Sequence, residues 1–192
     1  AARRLFSYGA HTAGPLSFME NQVAAVLDRI GTAWEEGRIA LSQVYMAGRI
    51  CEELALEALP AGDPARVRKP RVALAVFEDE HMLGKRMVLA VLRNEGYDVE
   101  DWGKVGLETV LERLEHESVD ILLLSCLMLS SALRIAGLTA AIRERHLPVK
   151  VVVGGAPFRF DPNLWREVGA DATGATASEA GAIVRRLAGC AS

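Results

Sequence analysis

The sequence predicts an α/β fold: an open, doubly wound sheet of about five parallel strands standing behind a small helical domain. Three observations predict it. Up to Leu59, apolar residues recur at helical spacing without strand-like alternation. After Pro70, short apolar runs alternate with amphipathic helical patterns, as a parallel sheet with crossover helices requires. Three of those runs end in residues that a buried strand does not need: Asp79 with His81, Ser125, and Gly154-Gly155.

In chain order, Phe18, Val23, Val26, Leu27, Ile30 and Trp34 mark a first helical stretch, and Glu35-Glu36-Gly37-Arg38 ends it. A second helix runs from Ala40 to Leu59, with Val44, Ala47, Cys51, Leu54 and Leu56 on its buried face. Phe18, Trp34 and Met46 are expected in the core of this region. Pro60 to Pro64 stops the helix, and Ala65–Pro70 reads as a linker with Arg66, Arg68 and Lys69 in solvent. Strands are then expected at Val72–Phe77, Asp98–Asp101, Ile121–Ser125, Lys150–Val153 and Ala172–Thr173. Helices are expected at Lys85–Glu95, Gly106–Glu117, Ser131–Arg145, Pro162–Val168 and Ser178–Leu187. The expected domains are residues 1–66, a helical domain with its linker, and residues 67–192, the sheet domain.

Composition narrows the function classes. With 192 residues, 51% of them hydrophobic, and a net charge of -3, the chain can bury a core without disulfides. Lys and Arg are interspersed with acids, so the basic footprint of a nucleic-acid binder is absent. The longest apolar run, Val119–Leu129, is interrupted by Asp120 and Ser125 and falls short of the roughly 20 residues that cross a bilayer. Cys51, Cys126 and Cys190 are odd in number and far apart, which argues against a disulfide framework or a CxxC knuckle and suits a reducing cytoplasm. The opening Ala1-Ala-Arg-Arg-Leu-Phe6 is too short for a signal peptide and reads as a trimmed terminus.

His81 falls just beyond the carboxyl end of the first strand, where open α/β sheets bind ligands. An acid two residues earlier, Asp79, can hold one ring nitrogen and free the other for a metal. Ser125 closes a buried apolar strand, and the adjacent Cys126 reads as a small buried side chain. Gly154 and Gly155 remove side chains where something large can approach the backbone. His11, His116 and His146 have no partner at ligand spacing.

Asp79-x-His81-x-x-Gly84 followed by Lys85, then Ser125-Cys126-Leu127, then Gly154-Gly155, resembles the cobalamin (vitamin B12)-binding domain of methionine synthase and of the corrinoid proteins of methyltransferase systems. The likeness covers Val72 to Leu187, with a Rossmann-like (flavodoxin-like) fold. Ser131, Ala177 and the run Gly169-Ala-Asp-Ala-Thr-Gly174 are further matches. Val26 to Leu41, with Met46-Ala47-Gly48, resembles the second half of the helical cap, a partial four-helix bundle, that precedes such domains. The resemblance implies a cobalamin, as methylcobalamin or another corrinoid, bound base-off with cobalt on His81. Asp79 would be the hydrogen-bond partner of His81, and Ser131 would complete that network. Glu78, Glu80, Met82, Leu83 and Gly84 would adjoin the cofactor. Ser125 and Leu127 would line its tail slot, Gly154 and Gly155 would form the floor, and Ala177 would touch it. Leu129 stands where the family often has a threonine that contacts the corrin or tail.

Function by resemblance divides in two. A carrier would hold a methyl group between methyltransferases, as a subunit rather than a complete enzyme. A cobalamin-dependent sensor or photoreceptor would instead regulate a partner protein; Trp34 and Leu129 favour it, while Val44-Tyr45 stands where such sensors carry Glu-His. A flavodoxin-like module for another nucleotide, or without ligand, is the third alternative. Expected partners are cobalamin and a methyltransferase or regulatory protein, with no nucleic acid and no membrane; a homodimer is left open.

Overall fold

Helical spacing followed by a glycine stop shapes the first part of the chain. Helix α1 (Pro15–Phe18) passes through a π-helical turn at Met19–Val23 into α2 (Ala24–Glu35), and α3 (Leu41–Ala58) follows. Gly37 ends α2 at φ +71, with its N–H on the Trp34 carbonyl and that of Arg38 on the Ala33 carbonyl. This is the left-handed glycine cap that satisfies the last carbonyls of a helix. The computed structural model describes residues 14–58 and 67–189, and the chain divides into two compact units, Ala1–Pro60 and Ala61–Ser192.

In the first unit Met19, Val23, Ala33 and Leu54 are buried. Trp34 and Met46 do not belong to the core as expected, being 45% and 55% exposed, and Val26, Tyr45 and Ile50 are exposed as well. Two helices bury only the stripe that each turns to the other, so apolar residues elsewhere on their surfaces stay in solvent.

The second unit is a five-stranded, all-parallel sheet. Its strands are β1 (Val67–Phe77), β2 (Tyr97–Val105), β3 (Ile121–Ser125), β4 (Lys150–Gly154) and β5 (Ala172–Gly174), in the spatial order β2-β1-β3-β4-β5. The connecting helices are α4 (Leu83–Asn94), α5 (Leu107–His116), α6 (Leu129–Glu144), α7 (Ala156–Phe160), α8 (Leu164–Glu167) and α9 (Ala180–Leu187). Period-two alternation gives the sheet two apolar faces. Val72, Leu74, Leu123 and Val152 pack with Leu92 of α4 and Ile183 and Val184 of α9. Ala73, Ala75, Phe77, Leu122, Leu124, Val151 and Val153 pack with Val110 and Leu111 of α5 and Ile135 and Leu138 of α6. The predicted doubly wound arrangement is therefore present, and the strand order reverses between β1 and β3.

Several boundaries differ from expectation. β1 starts at Val67, inside the segment read as a linker, because Val67 pairs with Tyr97; a register shift before Val72 accommodates Pro70, which has no N–H for the ladder. β2 extends to Val105 through an irregularity at Trp102, where Leu74 pairs with Asp101 and Ala75 with Gly103. The short α7 was not predicted; Gly155 at φ +114 turns the chain and Pro157 sits in its first turn, the position that needs no N–H donor.

Candidate functional site

The switch in strand order sets the ends of β1 and β3 side by side, the place where open α/β sheets take ligands. β1 ends at Phe77. Glu78 still donates its N–H to the Val105 carbonyl (2.9 Å) but turns left-handed, φ +46, and so leaves the sheet. That turn delivers Asp79 into a ring of donors. Its Oδ1 accepts the N–H groups of Glu80 (2.6 Å) and His81 (3.1 Å) and lies 2.6 Å from His81 Nδ1. Its Oδ2 accepts the N–H groups of Leu127 and Met128, both at 2.8 Å, from the loop after β3. The carboxylate is 1% exposed. Burial pushes its pKa up, but the donors from Met128, His81 and Leu127 outweigh that and hold it below the ordinary value.

An ionised Asp79 fixes the histidine tautomer: Nδ1–H donates to the carboxylate, and Nε2 keeps its lone pair. The His81 side chain is 40% exposed, so that lone pair belongs to a ring within reach of a ligand. Met82 and Leu83 are half-buried and Glu80 is exposed, its carboxylate paired with Lys104.

Small residues line the rim beside this loop. Val76, Ser125, Gly154 and Gly174 lie in one register across β1, β3, β4 and β5. By alternation they continue the face that carries Leu74, Leu123, Val152 and Ala172, the one covered by α4 and α9. Gly84, in the first turn of α4, comes so close to this row that a Cβ there would stand 3.0 Å from Ser125 Oγ. Ser125, Gly154 and Gly174 remain half-buried, a side-chain-poor strip along the carboxyl ends of three strands.

Other predicted site residues have different surroundings. Gly155 is required by the fold itself: a Cβ would lie 1.8 Å from the Cys126 carbonyl oxygen. Ser131 is buried, and its hydroxyl donates to the Glu78 carbonyl (2.7 Å), one residue away from the Asp79–His81 pair. Ala177 is buried in the 3₁₀ turn before α9. Leu127 and Leu129 are exposed, as are Met128 and Leu133.

Three sets of contacts at and beside the loop escaped the sequence reading. Arg134 on α6 pairs with Glu78 (2.9 Å), the Leu127 and Met128 amides hold Asp79, and the buried Lys85 of α4 pairs with Asp101 of β2. Only Lys85 left a trace in the sequence, as a cation in the first turn of a helix, where the dipole disfavours it.

A switch-point histidine with one nitrogen tied and the other free, beside a strip without bulky side chains, defines a cofactor-binding α/β protein whose histidine can serve a metal. Residues 71–182 match the B12 binding domain family and residues 2–64 match a second B12 binding domain family; the chain belongs to the B12-binding proteins, and its cofactor is a corrinoid. It is 31% identical over 180 residues to dimethylamine corrinoid protein 2 of Methanosarcina acetivorans, covering 90% of this chain and 82% of that protein. The solved structure of the Methanosarcina barkeri monomethylamine corrinoid protein matches with a TM-score of 0.70 and 26% identity over 96% of this chain and 95% of that one. The methanol:cobalamin methyltransferase complex MtaBC of Methanosarcina barkeri shares the fold, with a TM-score of 0.58 and 21% identity over 97% of this chain and 72% of that one. Among the described residues, no helix is long and apolar enough to cross a membrane.

Proposed function

We propose that this protein is a cytoplasmic corrinoid carrier that holds a methyl group between methyltransferases, with the cofactor base-off and His81 as the lower axial ligand of cobalt. One observation carries the reading: His81 Nδ1 is 2.6 Å from a buried Asp79 that is itself locked by the Leu127 and Met128 amides, which leaves Nε2 as the free ligand atom. Among the described residues no group of three His, Cys, Asp or Glu side chains gathers. His81 would thus hold a metal that arrives within its own cofactor.

The bound cofactor would supply the making and breaking of a cobalt–carbon bond. The chain's residues do the rest. Asp79 holds the His81 tautomer and orients the ring. Gly84, Ser125, Gly154 and Leu127 would line the place of the tail, and Leu129 would offer an apolar contact in place of a hydroxyl. Gly155 and Ala177 contribute by keeping the strand ends packed. The names of the relatives, dimethylamine and monomethylamine corrinoid proteins, support methyltransferases as partners.

The exposed Trp34 of the helical unit favours a second reading, a cobalamin sensor acting on a regulatory partner. The full chain reconstituted with hydroxocobalamin and reduced to Co(II) tests the site. With ¹⁵N-histidine, the electron paramagnetic resonance spectrum should show coupling to one imidazole nitrogen, lost in His81→Ala. A spectrum of free cofactor, or one indifferent to His81→Ala, sinks the proposal. Light-dependent change of oligomeric state with adenosylcobalamin, without methyl transfer, would establish the sensor instead.

A further inference from the structure

We infer that Glu78 is a positioning residue for His81, held in a strained turn by Arg134 of α6; the inference rests on His81 being the axial ligand. Glu78 and His146 are the non-glycine residues with positive φ among the described residues. His146, at φ +53, lies just past the end of α6, where left-handed residues are ordinary. Glu78 is at a strand end, in a conformation disfavoured for an L-residue by roughly tenfold. Such strain persists only where the surroundings over-determine it.

Three bonds do so here. The Glu78 N–H reaches the Val105 carbonyl (2.9 Å), its carbonyl accepts from Ser131 Oγ (2.7 Å), and its carboxylate pairs with Arg134 (2.9 Å). Two of these come from one face of α6, whose preceding loop also supplies the Leu127 and Met128 amides to Asp79. Were Glu78 to relax into the extended basin, the peptide joining it to Asp79 would rotate. Asp79 could not then keep both the amide pair and the His81 ring. The Glu78 side chain is 22% exposed and that of Arg134 59%, so water screens part of the ion pair, which adds to the two backbone ties rather than holding the turn alone.

The geometry makes a discriminating prediction. Glu78→Ala keeps the backbone strain and loses the Arg134 tie; Glu78→Gly loses the tie and the strain together. The full chain, without cofactor and labelled with ¹⁵N-histidine, reports the His81 Nδ1–H hydrogen bond through its imidazole nitrogen shifts. Glu78→Ala and Arg134→Ala should each raise the share of untied rings about two- to fivefold, and adding Glu78→Gly to Arg134→Ala should restore the wild-type shifts. The Co(II) spectrum of the cobalamin-loaded chain should follow the same order. If Glu78→Gly is as damaging as Glu78→Ala, or if all variants keep the wild-type shifts, the inference is overturned. Should Glu78→Ala not fold, Arg134→Ala and its rescue by Glu78→Gly decide alone. The same order in the cofactor-free chain, with no histidine coupling in the loaded wild type, would uphold the positioning role and refute the axial-ligand reading.

Discussion

Asp79→Asn is the most informative single substitution, because it changes hydrogen-bond polarity with almost no change of shape. Five donors converge on the carboxylate, three at Oδ1 and two at Oδ2. An asparagine has one acceptor atom. Its best placement puts the amide nitrogen at the Oδ2 position, facing the Leu127 and Met128 N–H groups and leaving both unpaired. A buried donor without a partner costs about 1–3 kcal/mol. Leu127 and Met128 are exposed residues, so water relieves part of this, and the expected loss is about 2–4 kcal/mol for the pair. Urea denaturation of the cofactor-free protein at neutral pH measures it. The pH dependence follows from the lowered Asp79 pKa. A carboxyl depressed in the folded state stabilises it above its unfolded value, about 3.9, and that contribution disappears as pH falls through the folded value. Protonated Asp79, like asparagine, presents a donor where the carboxylate had an acceptor oxygen, so the gap between wild type and variant should narrow on acidification. A variant within about 0.5 kcal/mol of wild type, or a gap constant with pH, would refute the reasoning. On the proposed role of His81 as cobalt ligand, affinity for hydroxocobalamin should also fall about 10–100-fold, the usual cost of losing an outer-sphere partner of a metal-bound histidine.

Gly155→Ala meets a backbone oxygen at 1.8 Å in a conformation that side chains avoid, so it should cost more than about 3 kcal/mol; a loss below about 1 kcal/mol in thermal or urea unfolding would contradict the packing described. Lys85→Met strips the buried partner from Asp101, whose pKa burial raises but which Lys85, the Gly103 amide and Arg93 together hold below the ordinary value. Because Asp101 is 32% exposed and can rehydrate, about 1–3 kcal/mol should be lost. The Asp101 carboxyl should titrate higher by carbon-13 NMR, and an unmoved titration would argue against the pair. Burial pushes the Cys126 thiol up to about 12, so with Cys51→Ser and Cys190→Ser in place, alkylation at mildly alkaline pH should proceed only as fast as the protein opens. Prompt labelling of the folded protein would show that Cys126 is not enclosed.

Much of the architecture was legible because it is local. Alternating strands and helices announce a parallel sheet, and Asp79 and His81 are two residues apart, so their contact follows from a short loop wherever the loop lies. The spacing of Ser125 and Gly154 likewise marked strand ends, and those ends align across β3 and β4. Proline and glycine blurred the boundaries: Pro70 hid the start of β1, and Gly154-Gly155 read as an opening for a ligand without showing that Gly155 also admits the Cys126 carbonyl.

By itself, then, the sequence determined the kind of fold, the histidine with its acid, and the small residues that end two strands, since each is written in periodicity or in a motif of adjacent positions. Only the tertiary structure decided what holds them in place. The Leu127 and Met128 amides on Asp79, Arg134 on Glu78 and Lys85 on Asp101 join residues on different elements, and no local pattern encodes such contacts. They exist because the sheet order sets β1 between β2 and β3, so that the Asp79–His81 loop is tied to the loop after β3 and to the helix that follows it.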